Sequence, residues 1–390
     1  MTRKEKGAYF TAIWPRYQRA NRSEKKQILD EFCANTCHNR KYAIGLLNAP
    51  LHRSKKSKKP GRRSKYCTPS FFEVLLCIWK TSDFMCSSRL KPVISDWLPY
   101  YESQYGCVDD ETKSLLHMVS SATLNRILKP QRIRNAKGFC GTKPGSMLRT
   151  QIPIRTDNWD ITAPGFMEAD TVAHCGNSLA GDFVWSLTMT DIHSAWTECR
   201  AVWNKGAEGV VKQVHDIERN LPFKLLGFDC DNGSEFLNYH LVRYFSNRET
   251  PVGVTRSRPY KKNDNAHVEQ KNWTHPRHLL GYDRIGNPDL VELINDLYAN
   301  EFSLYQNYFC PSMKLVSKTK INSKYKRTYD DPKTPYERLM ASDKISGETK
   351  NMLLDIKKSV NPFKLKKTIE RKLKIIFKEI KVTSNVRKRI

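Results

Sequence analysis

Apolar positions recur at helical intervals through the first third of the chain and give way to shorter, strand-like runs in the middle. Ile28, Leu29 and Phe32 form one stripe, and Ala43, Ile44 and Leu47 form another. Their spacing predicts helices within residues 9–48, joined by a polar turn over 34–39. Asn39 is placed to cap the second helix, whose outer face carries Arg40 and Lys41. Two short helices across a tight turn, the second one basic, have the outline of a helix-turn-helix, and equally of a plain structural hairpin. Thr68-Pro69 is a start signal, a cap followed by proline at the first helical position, and Leu75, Leu76, Ile78 and Trp79 supply the buried face of the helix it opens. A further helix is expected over 90–97, with Pro92 holding its start near that residue, and another over 121–128, carrying Arg126 and stopped by Pro130.

From about residue 156 the pattern mixes strand and helix. Strands are expected over 183–189, 196–203 and 224–229, with a short one near 252–255. Helices are expected over 210–219, near 238–245, within 265–280, and from beyond Pro288 to about Phe309. Strands first, then strand and helix in alternation, indicate a mixed α/β layer fold. In the last segment Leu365, Ile369, Leu373, Ile376 and Ile380 fall at helical intervals, surrounded by Lys366, Lys367, Arg371, Lys374 and Lys378. Such a basic amphipathic helix needs a cover for its stripe, whether a partner subunit, DNA or a membrane surface.

Charge narrows the choice of partner. The 390 residues hold 67 Lys and Arg against 40 Asp and Glu, a formal charge of +27. That excess implies a polyanion, nucleic acid first and an anionic membrane surface second. Residues 52–65 contain Lys55, Lys56, Arg62 and Arg63 among other cations and no apolar side chain apart from the backbone-breaking Pro60-Gly61, which reads as a basic linker able to lie along DNA. No run of about 18 apolar residues exists to span a bilayer, and the N-terminus lacks an apolar signal core, so a cytoplasmic protein is expected. Of the 11 cysteines only Cys33 and Cys37 lie close, with His38 beside them and no second pair at finger-like spacing, so reduced thiols are expected rather than a zinc site.

Three carboxylates in three separate elements carry the candidate chemistry. Asp170 lies in Phe166-Met167-Glu168-Ala169-Asp170, on the first expected strand of the α/β region. Asp231 follows a strand in Asp229-Cys230-Asp231-Asn232-Gly233-Ser234-Glu235-Phe236, and Glu269 opens a helix in Asn265-Ala266-His267-Val268-Glu269-Gln270. Carboxylates converging from two adjacent strands and a facing helix offer hard oxygen ligands for a pair of Mg²⁺ ions, the arrangement that phosphoryl transfer on DNA requires. Each has a rival on the same strand face or in the adjoining loop: Glu168, Asp229 and Asp264.

The Asp-Asn-Gly-Ser-Glu-Phe run and the Asn-Ala-x-x-Glu run, with 37 residues between Asp231 and Glu269, resemble the integrase catalytic core of insertion-sequence transposases and retroviral integrases. The resemblance covers roughly 160–310 and extends to Pro311–Leu315 and Thr334-Pro335-Tyr336-Glu337. It implies an α/β chain with a ribonuclease-H-like catalytic core preceded by all-α helix-turn-helix domains. It implies Asp170, Asp231 and Glu269 as catalytic residues and as ligands of two Mg²⁺ (or Mn²⁺) ions. The partners it implies are the terminal inverted repeats of a mobile element and target DNA, bound by a homo-oligomer at a bacterial nucleoid and not at a membrane. A DNA-binding regulator that does not cut and a nuclease without strand transfer are the competing readings.

With that frame the chain divides into a helix-turn-helix domain (1–50), a basic linker (51–66), a second helical DNA-binding region (67–130), a linker (131–155), the catalytic core (156–315), a post-core segment (316–345) and a basic helical tail (346–390). Arg258, Lys261 and Lys262, in the loop before Glu269, and Lys271 after it are the core's candidate phosphate contacts, beside Arg40, Lys41, Lys55, Lys56, Arg62, Arg63 and Arg126 upstream. Trp273 is expected in the core of the fold, and Pro276 is expected to kink or end the Glu269 helix. The zinc-binding His/His/Cys/Cys module of retroviral integrases is not found, which favours the bacterial comparison.

Overall fold

Side-chain caps set where the first helices begin. Thr2 and Glu5 form a reciprocal capping box at the start of α1 (Arg3–Arg19), and Asn21 and Glu24 form another, at 2.9 Å in both directions, for α2 (Arg22–Thr36). Cys37 ends α2 in the left-handed region, φ 56°, with its N–H donating to the Cys33 carbonyl. Two residues later Asn39 accepts the Lys41 N–H at 2.9 Å and caps α3 (Arg40–Leu47). The carbonyls at the end of α3 are met from α1, where Gln18 Nε2 donates to Leu47 at 2.6 Å and Trp14 Nε1 to Ala49 at 2.7 Å. Ile13, Tyr17, Ile28, Leu29, Phe32, Ala43 and Leu47 make the core of this bundle. Ile44 does not join it: the residue expected in the second buried stripe is 39% exposed.

The computed structural model describes residues 1–49, 65–134, 161–230, 236, 239–249, 252–256, 266–321 and 324–387. The chain divides into two units, Met1–Lys65 and Tyr66–Ile390.

The second unit opens with α4 (Pro69–Thr81), α5 (Ser87–Tyr105), α6 (Asp110–Met118) and α7 (Ser121–Arg134). Thr68 caps α4 as its sequence predicts. Two proline expectations fail. Pro92 lies inside α5, which begins five residues earlier, and Pro130 lies inside α7, which continues to Arg134. For α5 the reason is tertiary: Leu90, Val93, Ile94 and Trp97 are almost wholly buried, and that packing outweighs one lost backbone hydrogen bond.

A mixed sheet follows, made among the described residues of β1 (Phe166–Ala173), β2 (Val184–Asp191), β3 (Thr197–Trp203), β4 (Gly227–Cys230) and β5 (Gly253–Arg256). Its order is β3-β2-β1-β4-β5. β1, β2 and β3 pair antiparallel, while β4 lies parallel to β1 and β5 parallel to β4. β1 is therefore central, and it ends on the same side as β4. Gly165, at φ 120°, starts it; a Cβ there would sit 2.4 Å from the Lys224 carbonyl oxygen.

Alternation along the strands divides the residues between two cores. Met167, Ala169, Phe228 and Cys230 are buried together with residues of α8 (Ala207–Asn220) and α9 (Tyr239–Ser246). Glu168 and Asp170, and Asp229 beside them on β4, belong to the other face. There α10 (Ala266–Asn272) runs through a π-helical turn, Trp273–Arg277, into α11 (His278–Leu280). Next come α12 (Leu290–Leu297), a second π turn and α13 (Ser303–Phe309), followed by the hairpin β6 (Leu315–Ile321) and β7 (Lys324–Tyr329). The chain closes with α14 (Pro335–Ala341), α15 (Gly347–Ser359) and α16 (Pro362–Arg387).

The basic tail does not stand apart. Phe363, Leu365, Ile369, Ile376 and Ile380 of α16 are buried in one cluster with residues of α4, α5, α7, α12 and α13. Phe363 lies 5.5 Å from the Trp97 ring and 5.5 Å from that of Tyr105. Lys366 pairs with Asp83 at 2.5 Å, and Lys372 with Asp296 and Glu301 at 2.5 and 2.6 Å. The stripe expected to seek a subunit, DNA or a membrane is thus covered by the chain itself. In the same way residues of the 67–130 helices share that cluster with residues that follow the sheet. Among the described residues no helix is long and apolar enough to cross a membrane.

Candidate active site

Two residues of α10 meet two carboxylates of β1. Glu168, 3% exposed, accepts the Val268 N–H at Oε2, 2.9 Å away. Val268 lies in the first turn of α10, where backbone N–H groups lack helical partners and the helix end carries partial positive charge, so a buried carboxylate from the strand serves as its cap. One helical turn on, Asn272 Nδ2 donates to Asp170 Oδ2 at 2.6 Å, while Oδ1 of Asp170 accepts the Thr171 N–H at 2.7 Å. The spacings match: two strand residues advance about 6.6 Å, and four helix residues advance about 6 Å. The two hydrogen bonds therefore fix both the height and the rotation of α10 on β1. Glu269, next to Val268, is exposed.

Asp229 is 7% exposed and accepts from Thr255 Oγ1 at 2.8 Å, which ties β4 to β5. The register sets Glu168 beside Asp229 and Ala169 beside Cys230, the last residue of β4. Asp231 and Asp264 lie outside the described residues, as do Lys55, Lys56, Arg62, Arg63, Arg258, Lys261 and Lys262. Among the described residues no three His, Cys, Asp or Glu side chains gather as a metal-ligand cluster. The fit of Mg²⁺ can still be judged on Asp170. It offers hard carboxylate oxygens, oriented by the two hydrogen bonds above.

The remaining candidates part company. Lys41 and Arg126 are exposed, while Arg40 is paired with Asp30 across the α2–α3 turn. Lys271 lies two residues from Glu269, roughly 200° round the helix. Burial, with Arg89 nearby, pulls its pKa down to about 8. The residue itself is half-buried.

Trp273 is a correction. Expected in the core, it is 55% exposed, 6.3 Å from the His278 ring, while its neighbours His275 and Pro276 are buried. Pro276 does not end the helix either. It falls within the π turn, and the chain resumes as α11.

Beneath α10, His174 Nε2 lies 2.8 Å from Ser186 Oγ, which lies 2.8 Å from the Tyr298 hydroxyl. Its Nδ1 is buried without a hydrogen-bond partner. Burial first, and the Arg277 charge second, lower its pKa to about 3, so the ring stays neutral.

Glu168 and Asn272 are the positions that sequence reasoning misses. In the sequence Glu168 stands out only as a rival of Asp170. Asn272 is one helical turn from Glu269 and has no motif of its own.

No family model matches the chain. It is 38% identical over 335 residues to the uncharacterized protein y4rM of Sinorhizobium fredii (strain NBRC 101917 / NGR234), an alignment covering 84% of this chain and 93% of the relative. The catalytic core domain of BIV integrase, as a crystal structure, overlaps 45% of this chain and 93% of its own length at 14% identity, with a TM-score of 0.28. That overlap is too slight to carry a structural argument.

Proposed function

We propose that this chain, which belongs to the family of the Sinorhizobium fredii protein y4rM, is a metal-dependent polynucleotidyl transferase of the transposase kind, with a ribonuclease-H-like core. The observation that carries the reading is the tie between Asp170 and Asn272, because it locks the strand bearing one carboxylate to the helix bearing Glu269. β4 lies beside β1 and parallel to it, and Asp231 is the next residue in the chain after β4 ends.

Asp170, Asp231 and Glu269 are the proposed ligands of two Mg²⁺ or Mn²⁺ ions. Bound there, the metals would supply an activated attacking oxygen and charge stabilisation for the leaving one. The chain's own part is to hold the carboxylates. Asn272 orients Asp170, and the Glu168 cap sets the position of Glu269. The reaction is in-line phosphoryl transfer on DNA. Water attacks a phosphodiester at the element's end and releases a 3′-hydroxyl. That hydroxyl then attacks a phosphodiester of target DNA, forming one bond and expelling the target's own 3′-hydroxyl. The proposed DNA partners are the element ends and the target, bound by a homo-oligomer. The net charge and the α2–α3 turn with exposed Lys41 support DNA as the partner.

The test is cleavage and joining of end-sequence DNA with Mg²⁺ or Mn²⁺ by Asp170→Asn, Asp231→Asn and Glu269→Gln. Each should bind that DNA as the wild type does and yield no 3′-hydroxyl product, while Asp229→Asn keeps most activity. If all three variants cut normally, the catalytic reading fails. If the wild type binds but never cuts, a non-cutting DNA-binding regulator replaces it.

A further inference from the structure

We infer that the β6–β7 hairpin is an additional DNA-binding element, a cationic ribbon that lies against the phosphates of duplex DNA. The inference takes its partner from the reading above but uses none of its residues. From Lys314 to Tyr329 the sequence has no Asp or Glu, and it carries Lys314, Lys318, Lys320, Lys324, Lys326 and Arg327. Among the described residues the two strands form a sheet of two. Ser317, Thr319, Lys320, Lys326, Arg327 and Thr328 are all exposed, so neither face of the ribbon is packed. A two-stranded hairpin in water is at best marginally stable by itself.

The base of the ribbon, by contrast, is riveted down. Lys314 Nζ donates to the carbonyls of Ile192 and His193 at 2.7 and 2.6 Å, and its N–H donates to Asp330 at 2.6 Å. Asp330 is held in turn by Arg338 at 2.6 Å. The charge of Lys314 is spent on this anchoring, and the other five cations lie beyond it.

The register sets Lys320 across from Tyr325 and Lys326 across from Thr319, with Arg327 the residue after Lys326, so exposed cations stand on both faces of the ribbon. A ribbon with cations on both faces can meet the phosphates on either side of the groove it enters. The major groove of DNA admits a two-stranded ribbon. The exposed Ser317, Thr319, Lys326 and Thr328 share one face, a polar surface suited to phosphates.

The test measures duplex-DNA affinity of the full chain against salt, for the wild type and for Lys320→Ser/Lys326→Ser/Arg327→Ser. Every phosphate left without its cation should lower the slope of log affinity on log salt by about 0.9, so a drop of about 2–3 is expected, with affinity at least about tenfold weaker at low salt. Lys320→Arg/Lys326→Arg/Arg327→Lys should keep the wild-type slope, and thermal unfolding should be unchanged in both variants. An unchanged slope in the serine variant overturns the inference. So does a loss confined to phosphatidylserine–phosphatidylcholine vesicles, or a changed oligomeric state with DNA affinity intact. Asp170→Asn should leave the slope alone. Failure of the catalytic reading therefore shows as absent cleavage with a normal slope, and failure of this one as the reverse.

Discussion

Glu168 and Asp170 stand two residues apart on one face of β1 and serve different ends. Glu168 is consumed by a helix cap, and Asp170 is steadied by one hydrogen bond from Asn272 and another from its own neighbour. Glu168→Ala should cost roughly 1.5–3 kcal/mol, the usual worth of a charge-assisted hydrogen bond, and should depress cleavage while leaving DNA affinity intact. Glu168→Gln, which still offers an acceptor, should recover most of both. Urea unfolding and product yield check the pair. A carboxylate ligand would behave otherwise, since its amide would fold normally and not cut. His174 supplies a pH dependence. Its folded pKa, about 3, lies below the ordinary value of about 6.5, so the unfolded chain binds the extra proton first. Its contribution to stability is whole above about pH 6.5 and is lost by about 1.4 kcal/mol per unit as pH falls toward the folded value. Urea midpoints of wild type and His174→Asn measured from pH 7.5 to 5.5 should converge on the acid side. That Glu168 and Asp170 share one face of a strand is legible in the sequence, because strand alternation is a local pattern. That Glu168 has a partner a hundred residues away is not, since nothing in a run of letters records a hydrogen bond between strand and helix.

At the scale of elements, periodicity locates most of the sheet and its helices. The strands at 184–191 and 197–203, the short one at 253–256 and the helix at 207–220 all lie close to their expected places. The departures cluster at proline. Pro92 and Pro130, expected to start and to stop a helix, each lie inside one, and Pro276, expected to kink or end its helix, falls in a π turn between two α-helical segments. Trp273 departs for a related reason: helical phase does not extrapolate through a segment that is not α-helical. The amphipathic period of α16 is legible, but its partner is not, because a stripe does not name what covers it. Phe363→Ala should therefore behave as a core substitution, destabilising the second unit by about 3–5 kcal/mol. Guanidinium unfolding checks this, and a loss below about 1 kcal/mol would mean that the aromatic cluster is not closed in solution.

At the scale of the whole molecule the chain is two units with separate cores. Calorimetry should resolve two transitions, and Phe32→Ala should lower one while leaving the other in place. Composition speaks clearly at this scale. A charge of +27 needs no alignment to imply a polyanion.

The place of α16 also imposes an order in time. A chain is made from its N-terminus, and domains fold as they emerge. The first unit has everything it needs once about residue 50 is clear of the ribosome. The core between α4, α5 and α13 cannot close until the residues up to Ile380 have been made, because Phe363, Ile369 and Ile376 are part of it. A premature stop in α16 before Ile380 would therefore not trim an ornament. It would release a polypeptide whose first unit is whole and whose second never completes, a competitor for whatever the first unit grips.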